Sequence, residues 1–149
     1  LLMGREIFGS CQDVDSDSGH NMGLLGPLLD GKYRIIVLKN RKGKIVARCL
    51  LKILWDVQEK VPVLFQERLY VNDVRNHQHA ELLNEMCLRK AQAMNLPLLK
   101  IFNGEVNRYP NIIYSLGGRS TFEYVDALMG LENNKYDIAL STVIWQPER

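Results

Sequence analysis

The clearest pattern in the chain is a strict alternation from Ile45 to Trp55. Ile45, Ala47, Cys49, Leu51, Ile53 and Trp55 share one face, and Val46, Arg48, Leu50, Lys52 and Leu54 share the other. Period two over this length predicts a long, half-buried strand. Tyr33 to Lys39, rich in Ile and Val, predicts a strand before it, and the polar turn Asn40-Arg41-Lys42-Gly43-Lys44 joins the two as an antiparallel hairpin. A third strand is predicted from about Val61 to Val71, with Val61, Val63, Phe65, Leu69 and Val71 on one face and Glu67 among them. Pro62 sits at its start, where a missing ladder donor does least harm.

The period then changes. Between about Asn76 and Met94, Leu82, Leu83, Met86, Cys87, Ala91 and Met94 recur at three and four, which predicts a long amphipathic helix stopped by Asn95 and Pro97. Glu85 and Arg89 form an i,i+4 pair on its wet side. Strands are predicted at Leu96–Phe102, Asn111–Leu116 and Tyr136–Trp145, with a shorter helix capped by Ser120 or Thr121 and ended by Gly130. Residues 1–31 are irregular apart from a brief helix around Leu24, Leu25, Leu28 and Leu29. The predicted fold is α+β: one domain over 1–149, with a mixed, mostly antiparallel sheet, a long central helix and a shorter C-terminal helix.

Composition narrows the function classes. The 149 residues are 46% hydrophobic and 24% charged, enough to bury a core and unlike a disordered chain. A formal net charge of +2 does not favour nucleic acid as a partner. No apolar stretch is long enough for a membrane-spanning helix, so no membrane role is expected. The opening residues do not read as a signal peptide, and a start at Leu1 predicts a domain excised from a longer chain. Cys11, Cys49 and Cys87 are too widely spaced for a disulfide framework or a metal motif, which predicts reduced thiols and a cytoplasmic location.

Two stretches carry a family resemblance. The first runs from Pro62 to Val71, through Asp73-Val74-Arg75, to Ala80-Glu81-Leu82-Leu83; the second is Phe122 to Leu131. In their order and separation they resemble the GCN5-related N-acetyltransferase (GNAT) fold, with the central strand, cofactor loop and long helix in the first stretch and the late helix in the second. The resemblance implies an acyl-CoA-dependent N-acyltransferase-like domain, using acetyl-CoA or another acyl-CoA. Its acceptor would be an amine-bearing small molecule or protein. Glu67 takes the position of the general base and Tyr124 that of the acid that protonates the leaving thiolate. Val71, Asp73, Arg75, Asn76, His77 and Gln78 take the positions that contact the cofactor.

The family's pyrophosphate loop reads Gln or Arg, two residues, Gly, one residue, then Gly or Ala. Its glycines let backbone N–H groups approach the phosphates at a helix N-terminus. The corresponding segment here, Asp73 to Ala80, contains no glycine. Asp73 stands near the usual Gln or Arg, and a carboxylate there repels a pyrophosphate. A second reading follows: a non-catalytic GNAT-like module that binds a protein or peptide partner within a multidomain protein.

Each candidate also has a structural reading. Glu67 pairs with Arg48 or Arg68 across the sheet, or its face opens to water; Tyr124 packs its ring on the core. Asp13, Asp15 and Asp17 resemble the start of a calcium loop, but Ser18 and Leu24 stand where Gly and a bidentate acid are required. Cys11 with His20 is a weaker candidate for a thiol nucleophile. Cys49 and Cys87 read as core thiols. His77 and His79 do not share a helix face, so no metal site is expected. Gly117-Gly118-Arg119-Ser120 is a candidate anion contact or a plain turn.

Overall fold

The computed structural model describes residues 6–7, 10, 13, 15, 25–75, 77–101, 109–116, 131–132, 135–136 and 141–148. Its organising element is β2 (Ile45–Asp56). β1 (Tyr33–Lys39) pairs antiparallel with Ile45–Lys52 of β2, as the hairpin pattern predicts. Gly43 supplies the turn's positive φ of 80°, and Asn40 Oδ1 accepts hydrogen bonds from the N–H groups of Lys42 and Lys44.

β3 (Val61–Gln66) and β4 (Tyr70–Val71) pair antiparallel with β2 along its opposite edge. β6 (Ile113–Ser115) shares the β1 edge, antiparallel to Leu54–Asp56. β5 (Leu98–Ile101) lies parallel to β3, and this is the only parallel pairing among the described residues. β9 (Ser141–Trp145) closes antiparallel on β5. β7 (Leu131–Glu132) and β8 (Lys135–Tyr136) extend the sheet beyond β6. A five-residue helix, α1 (Leu25–Leu29), precedes β1.

The parallel β3–β5 pair requires a crossover, and α2 (His77–Met94) provides it. It ends in a Schellman motif. Asn95 takes φ 53°, its N–H donates to the Gln92 carbonyl, and the Leu96 N–H donates to the Ala91 carbonyl. Leu83, Cys87 and Ala91 of α2 pack on Ala47, Cys49 and Leu51 of β2, with Leu64 and Leu98. The opposite face of the sheet holds a second cluster of Leu54, Val63, Phe65, Leu99, Tyr109 and Ile113.

Several expectations change. The third strand does not run unbroken to Val71. Four residue steps from Gln66 to Tyr70 face three steps from Leu51 to Arg48, so the chain bulges at Glu67–Leu69. One extra residue inverts the alternation. Val63 and Phe65 therefore face the cluster opposite α2, whereas Leu69 and Val71 join the cluster beneath α2. β2 is buried on both faces rather than half-buried, because Arg48 and Lys52 are enclosed at 1% exposure each. The apolar stripe of α2 is narrower than its spacing suggests: Leu82, Met86 and Met94 are exposed.

The strands predicted at Leu96–Phe102 and Asn111–Leu116 are shorter, and the last strand candidate appears as β8 and β9. The predicted C-terminal helix, with Tyr124, lies outside the described residues. So do Asn76, Cys11, His20, Asp17 and Gly117–Ser120.

Candidate functional site

Glu67 occupies the first position of the bulge. Its N–H still donates to the Leu50 carbonyl, so the backbone stays on the ladder while the side chain turns inward. The carboxylate forms an ion pair with Lys52, and the two side chains are 4% and 1% exposed. Lys52 alternates with Leu51, which packs beneath α2, so the pair stands on the face opposite the helix. Lys52 is a partner for Glu67 beyond the expected Arg48 and Arg68. Arg48 lays its guanidinium over the Tyr70 ring, 4.3 Å from the centroid, and donates to Ser10 Oγ. Arg68 is exposed, 5.8 Å from the same ring. The Lys52 ammonium lies 5.1 Å from the Tyr33 ring centroid.

The result is a buried polar layer of Arg48, Lys52 and Glu67, walled by Tyr33 and Tyr70. A buried carboxylate needs a nearby cation, and Lys52 meets that need. The sequence held a signal for this layer: Arg48 and Lys52 both stand among Val46, Leu50 and Leu54 on one face of β2.

Beyond β4 the chain runs into α2 through the candidate cofactor segment. Val71 is half-buried, and Asp73, Arg75, His77 and Gln78 are exposed. Asn72 anchors the segment to β2: its N–H donates to the Val46 carbonyl and its side-chain amide to the Ile45 carbonyl. The Asp73 carboxylate accepts the Arg75 N–H at 3.0 Å, closing an Asx turn. The first turn of α2 carries no acidic residue. Glu67 and the cofactor segment thus belong to one β3–α2 connection, with the glutamate enclosed and the segment open to solvent.

Two further arrangements stand out. Cys49 and Cys87 are both fully buried, with their sulfurs 3.5 Å apart across the β2–α2 interface. The hydrogen bond with Cys87 pushes the Cys49 thiol far up, and burial and the Glu67 charge add to it. Asp56, buried at the end of β2, accepts hydrogen bonds from the Tyr109 hydroxyl, the Asn111 amide and the Glu59 N–H. Burial alone would raise the Asp56 carboxyl, but these donors together hold it below its ordinary value. Burial, then the Asp56 hydrogen bond and charge, drive the Tyr109 phenol well up. Sequence spacing carries no signal for this lock, whose members lie 53 and 55 residues apart.

Asp15 donates its N–H to Asp13 Oδ1, an ordinary Asx turn. No group of three or more His, Cys, Asp or Glu side chains among the described residues is arranged to hold a metal. No helix among them is long and apolar enough to cross a membrane.

No protein-family model matches the chain, and no curated protein matches it. Among solved structures it is similar to a tetramutant of the BH1408 protein from Bacillus halodurans, with 13% identity and a TM-score of 0.47. That match covers 55% of this chain and 56% of the other, so the likeness spans little more than half of either protein.

Proposed function

We propose that this chain is a GNAT-like domain that works as a binding module for a protein or peptide partner rather than as an acyltransferase. The observation that carries this reading is the buried Lys52–Glu67 pair. A general base needs a free lone pair within reach of the acceptor amine. The Glu67 carboxylate is engaged by an ammonium and closed off from solvent at 4% exposure. The cofactor segment supports the same reading. Asp73 accepts the Arg75 N–H, a backbone donor of the kind that would face a pyrophosphate, and places a carboxylate beside it.

A second reading, acyl transfer from acetyl-CoA or another acyl-CoA, draws support from Arg75, His77 and Gln78. These expose a cation and polar donors at the start of α2, where the first turn holds no acidic side chain. In that reading Glu67 is the base and Tyr124 the acid.

Thermal unfolding with millimolar acetyl-CoA separates the two. A ligand that binds the folded state raises the midpoint by mass action. The binding-module reading expects an unchanged midpoint and no acyl transfer to a panel of amines. A clear rise, with turnover lost in Glu67→Gln at unchanged cofactor affinity, would establish the transferase instead.

A further inference from the structure

We propose that Cys49 and Cys87 are a peroxide-sensitive dithiol, which closes to a reversible disulfide between the centre of the sheet and the long helix. Their sulfurs are already in hydrogen-bond contact at 3.5 Å, on two elements joined by a chain of 38 residue steps. A disulfide needs them at about 2.05 Å, within reach of a small side-chain adjustment. Both thiols are fully enclosed by the cluster of Ala47, Leu51, Leu83 and Ala91. That enclosure selects a small neutral oxidant, hydrogen peroxide, over a bulky disulfide such as glutathione's.

The pair divides the chemistry between its members. Either thiol can donate the hydrogen bond to the other, so one sulfur attacks the oxidant and its neighbour resolves. The first sulfur attacks one peroxide oxygen and the O–O bond breaks, giving its sulfenic acid and one water. The other sulfur then attacks the sulfenic sulfur; the S–S bond forms and a second water leaves with the resolving thiol's proton. Two thiols are oxidised and one peroxide is reduced to two waters. Peroxide reaches the buried pair through small local openings between α2 and the sheet, which admit it and not a bulkier oxidant. The inference stands independently of whether the domain binds acyl-CoA.

The test uses the full chain with Cys11→Ser, so that only this pair can react. The folded protein is treated with hydrogen peroxide and mapped by non-reducing peptide mass spectrometry. A Cys49–Cys87 linked peptide is expected, with a thermal midpoint raised by roughly 5–10 °C and restored by dithiothreitol. In at least one of Cys49→Ser and Cys87→Ser, a dimedone adduct at the remaining thiol of the pair is expected. Should either variant fail to fold, the linked peptide in the parent chain remains decisive. Two free thiols in the folded protein, under peroxide that oxidises the urea-denatured chain, would overturn the proposal. So would oxidation of either thiol to sulfinic acid with no linked peptide.

Discussion

Lys52 in β2 and Glu67 in the β3–β4 bulge neutralise each other inside the sheet's face, with neither side chain more than 4% exposed. Removing one partner strands the other's charge away from water. Lys52→Met or Glu67→Met alone should lower stability by about 3–5 kcal/mol. The double variant should recover most of that loss, since the desolvation cost of both charges disappears together. Urea unfolding of the four proteins in a double-mutant cycle measures this; single variants within about 1 kcal/mol of the parent would refute it.

Asp56 makes stability depend on acid. Its folded-state pKa is depressed, so its contribution is present above the unfolded carboxyl value of about 3.9 and is lost as pH falls through the folded value. Tyr109→Phe removes a donor, raises the folded pKa, and should move the acid loss to higher pH. At neutral pH it should cost about 1–3 kcal/mol. Denaturation midpoints measured from pH 2 to 7 for both proteins check the sign.

Gly43 adopts a φ of 80°, and a Cβ built there meets no atom within 4 Å. The strain of Gly43→Ala is therefore one of backbone conformation, not of crowding. It should cost about 1 kcal/mol, and Gly43→Asn, which tolerates this region better, should cost less. Equal losses in thermal unfolding would show that the turn does not depend on its left-handed residue.

Leu82 and Leu83 are neighbours in α2 with opposite fates, the first 44% exposed and the second fully buried. Leu83→Ala should cost about 2–5 kcal/mol, while Leu82→Ala should stay within about 0.5 kcal/mol. Chemical denaturation of the pair tests which face of the helix meets the sheet.

Local pattern disclosed the hairpin, α2 and its stop at Asn95, because each rests on periodicity or on one residue's backbone preference. The bulge was hidden by coincidence. Val61, Val63, Phe65, Glu67, Leu69 and Val71 keep a perfect period of two across a point where the backbone inserts a residue. Only the partner strand reveals the slip, and pairing is a long-range property. The same limit applied to the candidate site. Glu67 stands out in the sequence as a carboxylate among apolar neighbours, but its pairing with Lys52 depends on the β2–β3 register, which no local signal fixes. The lock of Tyr109 and Asn111 on Asp56 needs the β2–β6 pairing, which no local signal announces.

β2 carries neighbours on both edges at Ala47–Arg48, Leu51–Lys52 and Leu54–Asp56. Peeling away any single neighbour leaves these segments held by the strand on the other side. Each amide proton points toward only one of those neighbours, so successive amides along β2 report separately on the loss of one edge and of the other. Deuterium exchange along β2 therefore reads which edge of the sheet opens first.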